Sequence, residues 1–267
     1  MLKTFIYKLK TKSAKLFTGP NREILAELTR ANLKKADYDS WLGILWSLTG
    51  SVASLLLFYI IFKANFGKDI KDYPVYLLSG MICVNFFSTV TIRMINTFFG
   101  YREFVLNSTV PREIILVSNL TVCVFKLAID LLLCLILSAF YGTATLFSIL
   151  LILPLMIVFV AFVFAISMFL SLIYCFAGDI EHIWSMGIRI VYFVTPVFYN
   201  IGHLHPITRK LIYLCNPLTP FVISIQNLFL GKIDMPIYIY SILTGIFLFI
   251  CGYSIFIAIE NSAMERA

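Results

Sequence analysis

Long stretches without charge dominate this sequence and limit what the chain can fold into. Thr145–Phe176 contains no charged residue, and neither do Trp41–Phe62 and Pro236–Ile259. A helix needs about 20 apolar residues to cross the hydrocarbon layer of a membrane. Since 60% of the residues are hydrophobic and only 13% are charged, a soluble fold could not cover its apolar surface. The chain is therefore predicted to be an all-α integral membrane protein.

Three further segments meet the same length criterion although each carries charge. They are Pro74–Phe98 with Arg93, Ile114–Tyr141 with Lys126 and Asp130, and Ile183–Asn200 with Arg189. Together with the uncharged segments they predict six transmembrane helices. Lys126 and Asp130 are one helical turn apart, so we expect them to neutralise each other in a structural role.

A seventh apolar segment, Leu211–Leu230, is interrupted by Asn216-Pro217 and by Pro220. Two interpretations are open, a full seventh span with an external C-terminus or a re-entrant helical hairpin within residues 203–230. Irregular backbone at membrane depth is tolerated only where protein or a cavity covers it. The breaks favour the hairpin.

Basic residues indicate the orientation of the chain, because Lys and Arg are enriched in cytoplasmic segments. Residues 1–40 hold nine basic and four acidic residues, and thus five of the seven net positive charges. With both termini in the cytoplasm, the inner segments would hold 12 Lys and Arg and the outer loops 6. The basic arm therefore predicts contact with anionic membrane lipids or with a partner, and not with nucleic acid.

The chain shows no internal repeat and no linker, so a single transmembrane domain is predicted over residues 1–267. Asn21–Tyr38 places Ile24, Leu25 and Leu28 on one helical face, which suits an amphipathic helix in the inner membrane interface. The predicted parts are the basic arm and interface helix at 1–40, the six-span domain at 41–259 and a cytoplasmic tail at 260–267.

Motifs that bind nucleotides or metals are missing from the sequence. A phosphate-binding loop needs Gly-Lys followed by Ser or Thr, but the chain has Gly67-Lys68-Asp69 and Gly231-Lys232-Ile233. His203 and His205 have no Cys, Asp or Glu nearby, so no metal site is expected there. We therefore expect no cofactor in this chain.

Charged residues inside or beside the spans are functional candidates because they are costly there. Arg189 lies nearly two turns into its span, where it would meet either a substrate phosphate or a structural ion pair. Arg93 lies about one turn from the inner end of span two and would either guide phosphates or extend to the interface. Asp179 and Glu181 suit a helix N-terminus, which favours acids, better than an acid/base pair.

Aromatic residues crowd near the outer end of span five and just beyond it. They are Tyr192, Phe193, Phe198, Tyr199, Tyr213 and Phe221. One interpretation is the interfacial aromatic belt of membrane proteins. The other is a pore whose ring faces stack on the apolar sides of sugar rings without binding them tightly.

Four short motifs follow one another along the chain in an order that resembles that of a known family. They are Ser40–Trp46 at span one, Asn107–Ile114 with its Pro-Arg-Glu, Asp179–Ile183 followed by Thr195–Tyr199, and Asn216–Pro220. In this order they resemble the membrane subunits of ABC-type polysaccharide exporters, those for O-antigen, capsule and teichoic acid. The resemblance extends from about Asn21 to Ile259, although Gly178 stands where the family usually has Arg and Trp41 replaces a smaller residue.

The resemblance implies a half-transporter that relies on a separate ATPase, in agreement with the missing phosphate-binding loop. A homodimer would form a continuous channel between its two copies, and two cytoplasmic ATP-binding-cassette subunits would bind ATP and Mg. The implied substrate is a lipid-linked polysaccharide that leaves the cytoplasm across the inner (plasma) membrane.

The resemblance also implies roles for individual residues. The channel and its outer gate would include Tyr192, Phe193, Thr195, Pro196, Phe198, Tyr199, Tyr213, Asn216 and Pro217. The residues that receive the motion of the ATPase would include Arg102, Glu103, Pro111, Arg112, Glu113, Asp179 and Glu181. Arg93 and Arg189 are candidates for guiding the phosphates of the substrate, a hypothesis that comes from their depth and charge alone.

Other function classes stay open at this stage. An exporter of drugs or small lipids would share the topology. A polytopic glycosyl or acyl transferase would need a cluster of His and acidic residues at a membrane face, and only Asp179–His182 comes near one. A secondary transporter would show internal repeats and several acids within its spans, whereas Asp130 is the only such acid.

Overall fold

The computed structural model describes residues 19–37, 45–67, 70–101, 111–143 and 145–264. All regular structure in these ranges is helical, which confirms the predicted all-α class. The α-helices are, in chain order, α1 (Pro20–Asp37), α2 (Leu45–Phe66), α3 (Tyr73–Ile95), α4 (Thr97–Gly100), α5 (Glu113–Tyr141), α6 (Leu146–Phe176), α7 (Ile180–Val194), α8 (Pro206–Cys215), α9 (Thr219–Phe229) and α10 (Met235–Met264).

Four helices of the described part are long and apolar enough to cross a membrane, namely α3, α5, α6 and α10. The chain bends by 106° between helices α8 and α9. This bent pair adds a fifth crossing if it counts as one span. Helix α7 has only 15 residues, and the apolar stretch found in α2 is Leu48–Ala64. Length and composition therefore do not confirm the predicted number of six spans.

Two predicted spans end earlier than the sequence indicated. Within Pro74–Phe98 the long helix α3 ends at Ile95. The chain turns at Asn96, and the short helix α4 follows from Thr97. The segment Ile183–Asn200 is helical only to Val194. Pro196 explains this second boundary, because it has no amide hydrogen and its ring disfavours helical geometry at the residue before it.

The first predicted span, Trp41–Phe62, is described only in part. Residues 41–44 lie outside the described ranges, and the helix that contains the rest continues to Phe66. The predicted interface helix Asn21–Tyr38 is observed as α1, which begins at Pro20 and ends at Asp37.

Helix α3 lies at the centre of the bundle, against α5, α6 and α9. All of its residues from Val75 to Val84 are buried, as expected for a helix that is apolar on every side. Further along the helix, the Phe86 and Phe87 rings lie 5.7 and 6.3 Å from the rings of Phe159 and Phe162 on α6.

Helices α6 and α10 approach each other closely at two glycines of α10. A Cβ atom at Gly252 would lie 2.9 Å from the Cβ of Ala165 and 3.2 Å from its carbonyl oxygen. A Cβ atom at Gly245 would lie 2.6 Å from a methyl of Val158 and 2.7 Å from the Phe221 ring. The absence of a side chain at these positions lets the two backbones pack together.

The bundle has two ends, the Tyr73 end and the Glu113 end. At the Tyr73 end, where α3 begins, the turn after α5 meets the end of α9, since the Thr143 hydroxyl donates to the Phe229 carbonyl at 2.8 Å. At the Glu113 end, where α5 begins, Arg112 Nη1 donates to the Glu260 carbonyl of α10 at 3.4 Å. Each candidate site residue can be placed relative to these two ends.

The contact at Gly252 predicts a measurable loss of stability. In Gly252→Ala the added methyl would collide with the α6 backbone, and we expect the protein to be destabilised by about 1–3 kcal/mol. Gly50→Ala is the matched control, because nothing lies within 4 Å of a Cβ at that helical position. Thermal unfolding of the detergent-purified protein should show a lower midpoint only for Gly252→Ala. Equal midpoints would contradict the close packing.

Candidate functional site

The segment Thr195–Tyr199 follows α7 and is not helical, yet its first four residues are buried. Leaving the helix frees backbone groups that need hydrogen-bond partners, because unpaired polar groups are costly away from water. The Thr195 hydroxyl remains attached to the helix and donates to the Val191 carbonyl at 2.7 Å. The Pro196, Phe198 and Tyr199 carbonyl groups find their donors on elements distant in sequence.

Two tyrosines of α3 bind the carbonyl groups of this segment. The Tyr73 hydroxyl donates to the Phe198 carbonyl at 3.0 Å. The Tyr76 hydroxyl lies 3.0 Å from the Pro196 carbonyl and 2.7 Å from the Tyr199 carbonyl, so its single hydrogen is shared between them. The first turns of the central helix therefore hold the segment in place.

Helix α9 supplies the remaining donor. Gln226 Nε2 donates to the Pro196 carbonyl at 3.1 Å and lies 3.4 Å from the Tyr76 carbonyl, so one buried amide joins α9, α3 and the segment. The neighbouring Gly80 makes this possible, because a Cβ there would lie 2.6 Å from Gln226 Nε2.

The bend between α8 and α9 contacts the same segment. Asn216 Nδ2 donates to the Thr195 hydroxyl at 2.8 Å, and Asn216 Oδ1 accepts from the Leu218 amide at 3.1 Å. The structure thus brings together Thr195 and Asn216, which the sequence assigned to the same gate. Pro217 lies at the bend and is partly buried, and Tyr213 is partly exposed on α8.

Phe198 is a packing residue within a single chain. Its side chain is 3% exposed, and its ring centroid lies 4.5 Å from Phe62, 5.0 Å from Phe58 and 5.6 Å from Tyr192. These contacts attach α2 to the end of α7. Phe193, in contrast, is 61% exposed.

An apolar cavity of about 320 Å³ lies beside the bend. Residues of α7 form one wall, the chain from Cys215 to Leu218 forms another, and Phe87 and Phe162 contribute rings. The Trp184 indole Nε1 is buried and has no hydrogen-bond partner among the described residues. The residues that line the cavity are therefore chiefly apolar.

The two membrane-depth arginines lie in different surroundings. Arg93 Nε donates to Asn119 Oδ1 of α5 at 3.2 Å, so Arg93 is held within the bundle. Arg189 is exposed on α7, on a helix that also exposes Met186 and Ile190, each to 66%. Both residues remain candidates for guiding a phosphate, and Arg189 is the more accessible.

The structure describes some, but not all, of the residues predicted to contact an ATPase. Arg102 and Glu103 lie outside the described residues. Pro111 and Arg112 directly precede α5, and Glu113 is its first residue; Glu113 is 1% exposed and Arg112 contacts the α10 backbone. At the start of α7, Asp179 is exposed and Glu181 is partly exposed.

One side chain of helix α1 contacts residues that lie before and after the stretch 102–110. Asn32 is 3% exposed, donates from Nδ2 to the Ser118 hydroxyl at 3.1 Å and accepts from the Tyr101 hydroxyl at 2.7 Å. These bonds connect α1 to α5 and to Tyr101, the last described residue before that stretch.

Sequence reasoning missed Asn32 as well as the set Tyr73, Tyr76, Gly80 and Gln226. Asn32 carried a detectable signal, because it continues the helical face of Ile24 and Leu28 and is a polar residue on an apolar face. The polarity of Gln226 within an apolar segment is a second signal. The two tyrosines and the glycine carried none, because such residues are common near membrane interfaces.

No cluster of three or more His, Cys, Asp or Glu residues suited to a metal occurs in the described part of the chain. His205 has a local role instead, since its Nδ1 accepts from the Ile207 amide at 3.4 Å at the start of α8.

Known proteins provide an independent comparison. No protein-family model matches the chain. The chain is 26% identical to one O-antigen export system permease protein RfbA of Klebsiella pneumoniae and 28% identical to another, in each case over 88% of this chain and 91% of the relative. It is 24% identical to the protein of the same name from Myxococcus xanthus, over 78% of this chain and 80% of the relative.

These similarities confirm the resemblance to the permease subunits of O-antigen exporters. Together with the long apolar helices, they indicate a multi-pass membrane protein.

The hydroxyl of Tyr76 provides a direct test of the described contacts. In Tyr76→Phe the Tyr199 carbonyl loses its donor, and we expect the protein to be destabilised by about 1–3 kcal/mol. Tyr240→Phe is the matched control, because Tyr240 is 44% exposed on α10. A lower midpoint of thermal unfolding for Tyr76→Phe alone would agree with the geometry, whereas equal midpoints would speak against it.

Proposed function

We propose that this chain is the channel-forming membrane subunit of an ATP-driven exporter that moves a lipid-linked polysaccharide from the cytoplasmic side across the inner membrane. Its similarity to O-antigen export permeases over most of its length is the observation that carries this proposal. The whole chain would act as one transmembrane domain.

The exposed surface of α7 supports a homodimer with a channel between the copies. This surface is apolar at Met186, Ile190 and Phe193 but also presents Arg189. A charge that faces lipid in mid-helix is costly, whereas a charge that faces a water-containing path is not. In the proposed dimer Arg189 lines this path and attracts the phosphates of the substrate, and Arg93 assists from α3.

The Tyr73 end is proposed to face outward, with both termini in the cytoplasm. Helices α2 and α7 then complete six spans with the four long helices, and α8–α9 forms a re-entrant hairpin. Irregular backbone at membrane depth must be covered by protein. Ten of the 11 residues of α9 are buried, which meets this requirement. Thr195–Tyr199 and the bend at Asn216–Pro217 would form the outer gate.

Energy would come from a homodimer of ATP-binding-cassette subunits, which bind the ATP and Mg. Docking is proposed at the Glu113 end, through α1, the stretch from Arg102 to Glu113, and Asp179 with Glu181. The Asn32 contacts to Ser118 and Tyr101 support this assignment, because they connect α1 to helix α5 and to the start of the docking stretch.

Co-purification with the ATPase subunit tests the proposal. The two chains should form a stable complex in detergent, and export of labelled glycan by cells or vesicles should stop when the ATPase is inactivated by mutation. The inactive ATPase should still co-purify, which separates assembly from energy supply. Export that continues without any ATPase partner would refute the proposed function.

The role proposed for Arg189 has its own test. Arg189→Gln removes the charge with little change in size, and we expect export to fall about tenfold through the loss of one charged contact. Arg209→Gln, which removes a charge from the exposed part of α8, is the matched control. Normal assembly with unchanged export by Arg189→Gln would exclude phosphate guidance by this residue.

A further inference from the structure

A polar cavity of about 240 Å³ lies at the Tyr73 end, where three turns meet. Lys71 and Asp72 line it from the turn before α3, Tyr141 and Thr143 from the turn after α5, and Lys232 from the turn after α9. Each turn thus connects a different pair of helices. None of these residues belongs to the gate described above.

The walls of the cavity are held in fixed positions. The Thr143 hydroxyl donates to the Phe229 carbonyl at 2.8 Å, and the Ser138 hydroxyl donates to the same carbonyl at 3.3 Å. Gly231 adopts φ +69, and a Cβ there would collide with the Thr143 carbonyl oxygen. The turns after α5 and α9 are therefore locked together.

The third turn is defined by an uncommon backbone conformation. Asp72 has φ 54 and is the only non-glycine residue with positive φ in the described part of the chain. Asp tolerates this left-handed conformation better than most residues. Lys71 and Asp72 line the cavity from this turn.

The charges that line the cavity favour an anion. The residues that line it include two lysines, Lys71 and Lys232, and one acid, Asp72, and the lining therefore carries a net positive charge. Neither lysine side chain forms a hydrogen bond or ion pair with a described residue. Their donors are available to a ligand, and Lys binds phosphate well as a point charge.

We propose that this cavity binds a phosphate group, supplied by the headgroup of an anionic phospholipid. The cavity lies where α5 ends and where α6 and α10 begin, and the ends of membrane-crossing helices lie at the level of the lipid headgroups. A pocket lined by lysines at that level can bind the phosphate of a headgroup through charge. The bound lipid would hold the three turns together, whatever substrate the chain transports.

Thermal unfolding of the full-length protein in detergent tests this site. Dihexanoyl phosphatidylglycerol is titrated at constant ionic strength, and dihexanoylglycerol, which lacks the phosphate, serves as the ligand control. The midpoint of the unmodified protein should rise with the phospholipid. The double variant K71Q/K232Q should need about tenfold more phospholipid for the same rise, because two charged contacts are lost.

The double variant R209Q/K210Q is the matched protein control, since it loses the same charge from exposed positions of α8. It should respond like the unmodified protein. A parallel titration with inorganic phosphate identifies the source: an equal rise, lost in K71Q/K232Q, would support the phosphate site and assign it to free phosphate. An equal response to dihexanoylglycerol, equal losses in both double variants, or no response of the unmodified protein would overturn the proposal.

Discussion

Backbone polar groups that leave a helix inside an apolar bundle must find partners, and the structure depends on how this requirement is met after Val194. Pro196 ends α7 before it has the length of a span. The carbonyl groups released there are bound by Tyr73, Tyr76 and Gln226. Because these donors belong to α3 and α9, the same bonds that satisfy the segment also fix how the central helix and the bent pair lie.

The sequence predicts the helices well because apolar length and helix-breaking residues are local signals. Helix α1, the long apolar helices and the bend at Asn216-Pro217 are all found close to their predicted positions in the chain. The C-terminal ends of α3 and α7 were predicted too late in the chain, because hydropathy continues past the residues at which the backbone turns. The number of crossings depends on α2 and α7, whose helical lengths hydropathy does not determine.

The candidate site could be predicted only where a motif contained its residues. Thr195 and Asn216 were assigned to one gate and prove to be in contact. The donors on α3 could not be found, because a tyrosine that binds a carbonyl more than a hundred positions away leaves no periodic trace. The same holds for Gly80, whose importance lies in the amide that packs against it.

The Gln226 amide has a mechanical consequence for any movement at the Tyr73 end. It touches the Pro196 and Tyr76 carbonyls at once, while Asn216 holds Thr195 from the other side of the bend. Rotating the Gln226 side chain would remove one of the two donors that the buried Pro196 carbonyl has. These bonds join the segment after α7, the bent pair and the first turns of α3, so we expect the three to keep their relative geometry, and any displacement at the Tyr73 end must be absorbed outside them.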